Sequence, residues 1–330
     1  MNTSSVLFSV IIPVYDAGNC IERLLRTFVA QNNDRCEVIV VDDGSQDQSL
    51  SICNAIANEN DFITVLSQHN QGASAARNYG IEHASGKYLV FVDSDDSVAD
   101  DYVQTVTNIC ETGGFDLVQC NWVQGTPEDG YAPAYADIAD RKVAVEEYCR
   151  DLLGQKFNPP WNKIYRRSVI DEHNIRFDST MTMGEDLEFA IRYVRYVDTV
   201  MMSPSFIYRY FFNTDGLCAK ASLSYFSDLR KLYDSMKKLI DERAFDESVL
   251  RRAQESIIAS VFRSIGGSLQ QGFSSSDVRG SVSDAGFTDI LPSMTKVSLQ
   301  ASLRRELILR NLYRFIQLLF ELKNGSHGRV

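Results

Sequence analysis

The sequence is short of the residues from which most metal and redox sites are built. Its four histidines (His69, His83, His173, His327) are scattered, and its seven cysteines (Cys20, Cys36, Cys53, Cys110, Cys120, Cys149, Cys218) contain no C-x-x-C pair. That spacing argues against a histidine-rich metal centre or a zinc ribbon, and an odd, dispersed set reads as reduced thiols in core positions rather than a disulfide frame. Basic charge is scarce too: 33 Lys and Arg against 44 Asp and Glu give a formal net charge of -11, which speaks against a nucleic-acid partner. Free nucleotides are still allowed, because a metal ion and backbone amides bind them without a basic protein. No window holds the roughly 18 apolar residues of a membrane span, and residues 1–7 lack the basic start and apolar core of a signal peptide. A cytoplasmic protein is therefore expected. No G-x-G-x-x-G follows the first predicted strand and no G-x-x-x-x-G-K-S/T occurs, which removes a Rossmann dehydrogenase and a P-loop kinase.

What is present is an alternation of short β-rich runs and helical spacings. Strands are predicted at 7–12 (stopped by Pro13), 38–41, 62–66, 88–92 and 115–122, and helices at 20–31, 47–58, 72–84 and 101–111. Repeated βα units with short connections predict a parallel sheet covered by helices on both faces. The strand ends Pro13-Val14-Tyr15, Asp42-Asp43 and Asp93-Ser94-Asp95-Asp96 should then meet along one edge. A surface loop over 125–140, helices over 141–153 and 187–196 and an extended stretch over 206–210 follow. From about 221 onward the pattern is helical, with a Gly/Ser hinge at Gly266-Gly267 and residues 272–276.

The chain is organised around Lys87-Tyr-Leu-Val-Phe-Val-Asp93-Ser-Asp95-Asp96. An apolar run ending in three acids within four residues suits a buried strand that delivers carboxylates into a crevice. Carboxylates so close repel one another unless a divalent cation such as Mg2+ or Mn2+ sits among them. The Gly72-Ala-Ser-Ala-Ala-Arg77 run places a flexible glycine and an arginine at a helix start, where exposed amides favour an anion. A nucleotide sugar fits three acidic strand ends and few bases: Pro13 and Tyr15 offer a face for the base, and Asp43 an acceptor. In Met183-Gly184-Glu185-Asp186, a carboxylate at a helix start is suited to take a proton from an acceptor hydroxyl.

Five segments together resemble the ordered motifs of family 2 glycosyltransferases: Ser9-Val-Ile-Ile-Pro13-Val-Tyr15, Val40-Val-Asp42-Asp43-Gly44-Ser45, Asn70-Gln-Gly72 through Arg77-Asn78-Tyr-Gly80, Phe91-Val-Asp93-Ser-Asp95-Asp96 and Gly184-Glu185-Asp186. The resemblance spans roughly residues 6–215 and implies a GT-A type α/β/α sandwich with a central, mostly parallel sheet. A catalytic domain over 1–219 is expected from it, and the helical pattern beyond makes 220–330 a helical C-terminal region. The resemblance further implies inverting transfer from a nucleotide-diphosphate sugar, usually a uridine one, with a divalent metal, to a saccharide or lipid-linked saccharide of bacterial surface polysaccharide. On this resemblance Pro13 and Tyr15 line the base pocket, Asp43 and Arg77 contact uracil or ribose, and Asp93 lies near the ribose. Asp95 is the metal ligand, Asp186 the base, and Glu185 shapes the acceptor or metal surroundings. The Trp161-Asn-Lys163-Ile-Tyr165 segment resembles the one beside the acceptor, so that Trp161 stacks on a sugar and Lys163 holds a phosphate or hydroxyl. One departure stands at Asn213-Thr214-Asp215-Gly216-Leu217-Cys218, where relatives carry a short serine-containing motif.

Two other readings compete. A haloacid-dehalogenase-type phosphatase also begins with an apolar strand and Asp93-x-Asp95, but Ser97 stands where that motif has Thr or Val, and three strands come first. A non-catalytic sugar-nucleotide binding module would need neither Asp186 nor three clustered acids. Residues 303–323, read as one helix, carry a narrow polar stripe (Glu306, Arg310, Arg314, Gln317, Glu321) opposite a broad apolar face with Ile308, Leu309, Leu312, Tyr313, Phe315, Ile316, Leu319 and Phe320. Such a face packs in a core or a homodimer, or lies as a peripheral helix on the inner face of the membrane, with Arg304, Arg305, Arg310 and Arg314 near anionic headgroups.

Overall fold

The computed structural model describes residues 6–126, 130–135, 138–210 and 221–327. Two compact units emerge. One comprises Met1–Tyr148, Pro159–Ser179 and Tyr196–Asn213; the other comprises Cys149–Asn158, Thr180–Arg195 and Thr214–Val330.

The first unit is built on strands β1 (Phe8–Val14), β2 (Cys36–Asp42), β3 (Ile63–Ser67), β4 (Tyr88–Phe91), β5 (Ser97–Val98), β6 (Leu117–Thr126), β7 (Gly130–Pro133), β8 (Arg141–Val143), β9 (Lys163–Arg166) and β10 (Val200–Tyr210). They form one mixed sheet in the order β3-β2-β1-β4-β9-β6-β10-β5, with β7 on β6 and β8 on β10. β1, β2, β3 and β4 are parallel, as are β6 and β10, while β9 runs antiparallel between β4 and β6. Helices α1 (Ile21–Gln31), α2 (Ser49–Ala57), α3 (Ala73–His83) and α4 (Tyr102–Thr112) supply the crossovers. All seven residues of β1 are buried, which is why its sequence runs apolar without alternation.

Pro13 does not stop β1, which continues to Val14. Ile11 accepts from Val92 N on the β4 side, and residues two apart on a strand face the same way. The missing N–H of Pro13 therefore falls on the β4 side, beyond the last paired residue there, Phe91. The helix predicted over 141–153 begins only with α5 (Val145–Leu153), because Arg141–Val143 is taken up as β8 against Val200–Met202. β10 starts six residues earlier than the extended stretch predicted over 206–210, and its register against β6 slips between Met202 and Phe206, where Pro204 cannot donate.

The second unit gathers α7 (Glu185–Val194), which follows α6 (Arg167–Glu172) of the first unit, with α8 (Tyr225–Arg243), α9 (Glu247–Gln270), α10 (Ser275–Asp284), α11 (Phe287–Ile290), α12 (Leu299–Leu309) and α13 (Tyr313–His327). Asp246 caps α9 by accepting from Ser248 N and Val249 N. Two predicted features differ. α9 runs unbroken through Gly266-Gly267, so no hinge lies there. A Cβ on Gly266 would come 2.4 Å from the Phe320 ring, so the glycine serves close packing of α13. The single helix predicted over 303–323 is two helices: α12 ends at Leu309, Asn311 takes a positive φ of 54°, and α13 starts at Tyr313. The break rotates one half of the apolar face against the other. Ile308, Tyr313 and Ile316 are buried, whereas Leu312, Phe315, Leu318, Leu319 and Leu322 are exposed. Arg305 is tied to Met294 O. Among the described residues no helix is long and apolar enough to cross a membrane.

Candidate active site

Because β2, β1 and β4 are adjacent and parallel, the segments that follow them open on the same edge of the sheet, as the strand-end clusters predict. Asp43, 3% exposed, takes its N–H to Val14 O at 2.8 Å. Its carboxylate then organises the next loop: Oδ1 accepts from Gln68 Nε2 at 2.7 Å and Gln71 N at 2.9 Å, and Oδ2 accepts from Gly72 N at 2.7 Å. Gly72 is the N-cap of α3 with φ 88°, a conformation glycine adopts without strain. Asp43 thus fixes the N-terminus of the helix that carries Arg77, and through this role its carboxylate is already engaged.

Arg77, 5% exposed, donates from an Nη to Asp93 Oδ1 at 2.8 Å, joining two predicted site residues directly. Asp93 also presents its N–H to Tyr208 Oη at 3.1 Å, and Tyr208 Oη donates to Asp96 Oδ2 at 2.7 Å. Burial first, and then the Asp93 and Asp96 charges, hold the Tyr208 phenol well above its ordinary pKa, so it stays a donor. Asp95 is the exposed member of the acidic turn. Loss of surrounding water, followed by the neighbouring Asp93 carboxylate, raises its pKa. Tyr15 is exposed, 49% at the mouth of β1, and Pro13 is buried in the strand beneath it.

Trp161 and Lys163 both lie inside the first unit. Trp161 stacks on Tyr208 with centroids 4.1 Å apart and planes at 7°, and meets Trp122 edge-on. It is 4% exposed, so in this structure it buttresses the tyrosine that holds Asp93 and Asp96. Lys163 is fully buried, and its Nζ donates to Pro159 O at 2.5 Å and Asn162 Oδ1 at 3.0 Å. Glu185 and Asp186 belong to the second unit, in the first turn of α7 and half-buried. Gly184, at φ 84°, caps that helix in the left-handed region. The departure over 213–218 lies outside the described residues.

The sequence reading missed Tyr208 and the clasp between the first two loops. Asp16 Oδ1 accepts from Gln46 N at 2.7 Å, Gly18 N donates to Asp47 Oδ2 at 2.8 Å, and Ala17 N donates to Ser49 Oγ at 2.8 Å. Short polar residues directly after β1 and β2 were the available signal, since Asp and Ser bind nearby backbone in turns.

A sheet of this order, mostly parallel, with acids after its fourth strand and a helical region behind it in sequence, is a GT-A type fold. The model of Glycosyl transferase family 2 matches residues 9–173. EpsH of Bacillus subtilis (strain 168), which bears a glycosyltransferase name, is 30% identical over 249 residues, covering 73% of this chain and 71% of EpsH. The chain spans 62% and 53% of two further curated relatives. Among solved structures, S. aureus TarS 1-349 in complex with UDP-GlcNAc superposes with a TM-score of 0.67 at 19% identity, covering 96% of this chain and 92% of that one. The mannosyltransferase PcManGT from Pyrobaculum calidifontis, in complex with GDP-Man and Mn2+, gives 0.52 at 16% identity over 96% and 86%. These two likenesses show the fold. The chain belongs to glycosyl transferase family 2, and the phosphatase alternative falls with that assignment.

Proposed function

We propose that the chain moves a sugar from a nucleotide-diphosphate donor, a UDP-sugar, to a hydroxyl of a saccharide or lipid-linked saccharide. The observation that carries this reading is the Arg77–Asp93 pair beside an α3 N-terminus pinned by Asp43, within the segment matched by the family. Helix-start amides and a guanidinium suit the donor's polar groups, and the exposed Tyr15 ring suits its base. The UDP-GlcNAc complex of TarS supports a uridine donor.

Among the described residues no group of three or more His, Cys, Asp and Glu forms a ready-made metal cage. The donor set nevertheless fits Mg2+ or Mn2+, which bind through one or two carboxylates plus substrate phosphates. Asp95 is exposed with Asp93 beside it; loss of surrounding water first, and that like charge second, raise its pKa, and a cation relieves the repulsion. PcManGT with Mn2+ supports the same choice. When bound, the cation supplies neutralisation of the leaving diphosphate. The chain's own residues do the rest. Asp186 accepts the proton of the acceptor hydroxyl, whose oxygen bonds to the anomeric carbon as the bond to the diphosphate breaks, inverting that centre in one displacement. Glu185 borders the acceptor, and Trp161 and Lys163 shape its side from within the protein.

The exposed Leu312, Phe315, Leu319 and Leu322 of the C-terminal turns, with Arg310 and Arg314 also exposed, suit a peripheral membrane contact. Flotation with anionic liposomes tests it: Phe315→Asp with Leu319→Asp abolishes flotation on this reading, and equal flotation refutes it. For the reaction itself, Asp186→Asn leaves donor binding intact and lowers turnover roughly 100-fold or more, whereas Asp95→Ala removes metal-dependent donor binding. Wild-type turnover by Asp186→Asn would place the base elsewhere.

A further inference from the structure

The second unit holds a polar basin of 470 Å3 that the proposed transfer does not use. One wall is a stripe of α9, where Arg252, Glu255, Ser256, Ala259 and Arg263 recur at three- and four-residue spacings, and Arg304 of α12 also lines it. Each arginine is held in place. Gly154 leaves room for Arg252, since a Cβ there would lie 2.5 Å from its Nε. Arg263 donates to Ser260 Oγ at 3.0 Å, and Ser260 in turn receives Gln155 Nε2 at 3.0 Å. The Arg304 guanidinium lies 5.7 Å from the Phe262 centroid.

Many arginines elsewhere in this acidic chain find carboxylates, as Arg26, Arg141, Arg167, Arg195 and Arg230 do. Among the described residues, no ion pair includes Arg252, Arg263 or Arg304. The single acid of the basin, Glu255, instead accepts from Ser298 N at 2.7 Å. Loss of water first, and then the neighbouring Arg304 charge, lowers the Arg263 pKa. Asn158 Oδ1 lines the basin buried and without a hydrogen-bond partner, and an amide turned end for end would offer a donor there. Three positive charges against one negative leave a surplus of two, which matches a phosphate dianion better than a single carboxylate.

We propose that this basin binds a phosphate-bearing anion. Guanidinium forks match phosphate oxygens two at a time. The volume falls in the range of small-molecule sites, about 300–1,000 Å3, leaving room for the moiety that carries the phosphate. The binding needs neither donor turnover nor a metal.

Calorimetric titration of the full chain with pyrophosphate in EDTA, which silences any metal-dependent donor site, tests it. Wild type is expected to bind at one site, more weakly as salt rises. Arg252→Gln combined with Arg304→Gln is expected to weaken binding by roughly tenfold for each charge-assisted hydrogen bond removed. Arg77→Gln, in the first unit, leaves the affinity unchanged. Should the double variant fail to fold, Gly154→Ala, which crowds Arg252, is expected to give a smaller loss in the same direction. Flotation with phosphatidic acid vesicles identifies the source: loss of flotation in the double variant assigns a lipid headgroup, and unchanged flotation with lost pyrophosphate binding assigns a soluble phosphate. Absence of pyrophosphate binding by wild type, equal affinity in wild type and the basin variants, or loss only in Arg77→Gln overturns the proposal.

Discussion

Replacing Asp43 with alanine removes the group that ties residues 68–72 to the end of β2. Three donors lose their acceptor: Gln68 Nε2, Gln71 N and Gly72 N, at 2.7, 2.9 and 2.7 Å. A hydrogen bond to a charged acceptor contributes about 1.5–3 kcal/mol net, so three unrelieved losses would total roughly 4.5–9 kcal/mol. Gln71 and Gly72 are exposed, however, and water replaces much of what they lose. The expected destabilisation is therefore about 2–4 kcal/mol. Asp43→Asn keeps the shape but turns one acceptor into a donor facing an N–H, and should cost about half as much. Urea unfolding, with unchanged m-values, should rank the midpoints wild type above Asn above Ala. Nucleotide affinity should fall with them, because the α3 N-terminus loosens. An alanine variant within about 0.5 kcal/mol of wild type would show that Asp43 does not organise this loop.

Tyr208→Phe removes the hydroxyl between Asp93 N and Asp96 Oδ2 and should cost about 1–3 kcal/mol while weakening metal-dependent donor binding, read by thermal melting and calorimetry. Asp116 Oδ2 accepts from Asp198 N, Thr199 N and Thr199 Oγ, and Arg166 lies 3.2 Å from Oδ1. Burial pulls its pKa up, but these bonds and the Arg166 charge together bring it below the ordinary value. Its contribution is accordingly present above the unfolded pKa of about 3.9 and lost as pH falls through the lower folded value. Asp116→Asn should lower stability at pH 7 and flatten that acid limb in pH-dependent urea unfolding. Gly266→Ala places a Cβ into the Phe320 ring and should destabilise by about 1–3 kcal/mol, with faster hydrogen exchange in α13 than in β1.

The strands β1, β2 and β4 were legible because buried parallel strands run apolar and end at turn residues, and the edge strand β3, half exposed, as a short β-rich run; the acids after β4 and β2 stood out against those apolar runs. Asp43, Arg77 and Asp93 could be picked from their motifs, but their joining could not: the Arg77–Asp93 pair and the Asp43 clasp are products of strand order. Tyr208 reaches Asp96 across 112 residues of sequence, a pairing no local pattern carries. Lys163 was read as facing a ligand from the resemblance of its segment to the one beside the acceptor, yet it lies inside on Pro159 O and Asn162 Oδ1, an uncommon place for a lysine. The break at Asn311 was invisible because it contains neither glycine nor proline, and β8 is too short to outweigh the helical spacing that follows it.

The most direct measurement is calorimetric titration of the full chain with a panel of nucleotide sugars, with Mn2+ or Mg2+ and again with EDTA. A UDP-sugar is expected to bind in the presence of metal, EDTA or Asp95→Ala to abolish this binding, and Asp186→Asn to preserve it. Absence of binding by every nucleotide sugar, or equal binding by wild type and Asp95→Ala with metal present, would contradict the proposed transfer.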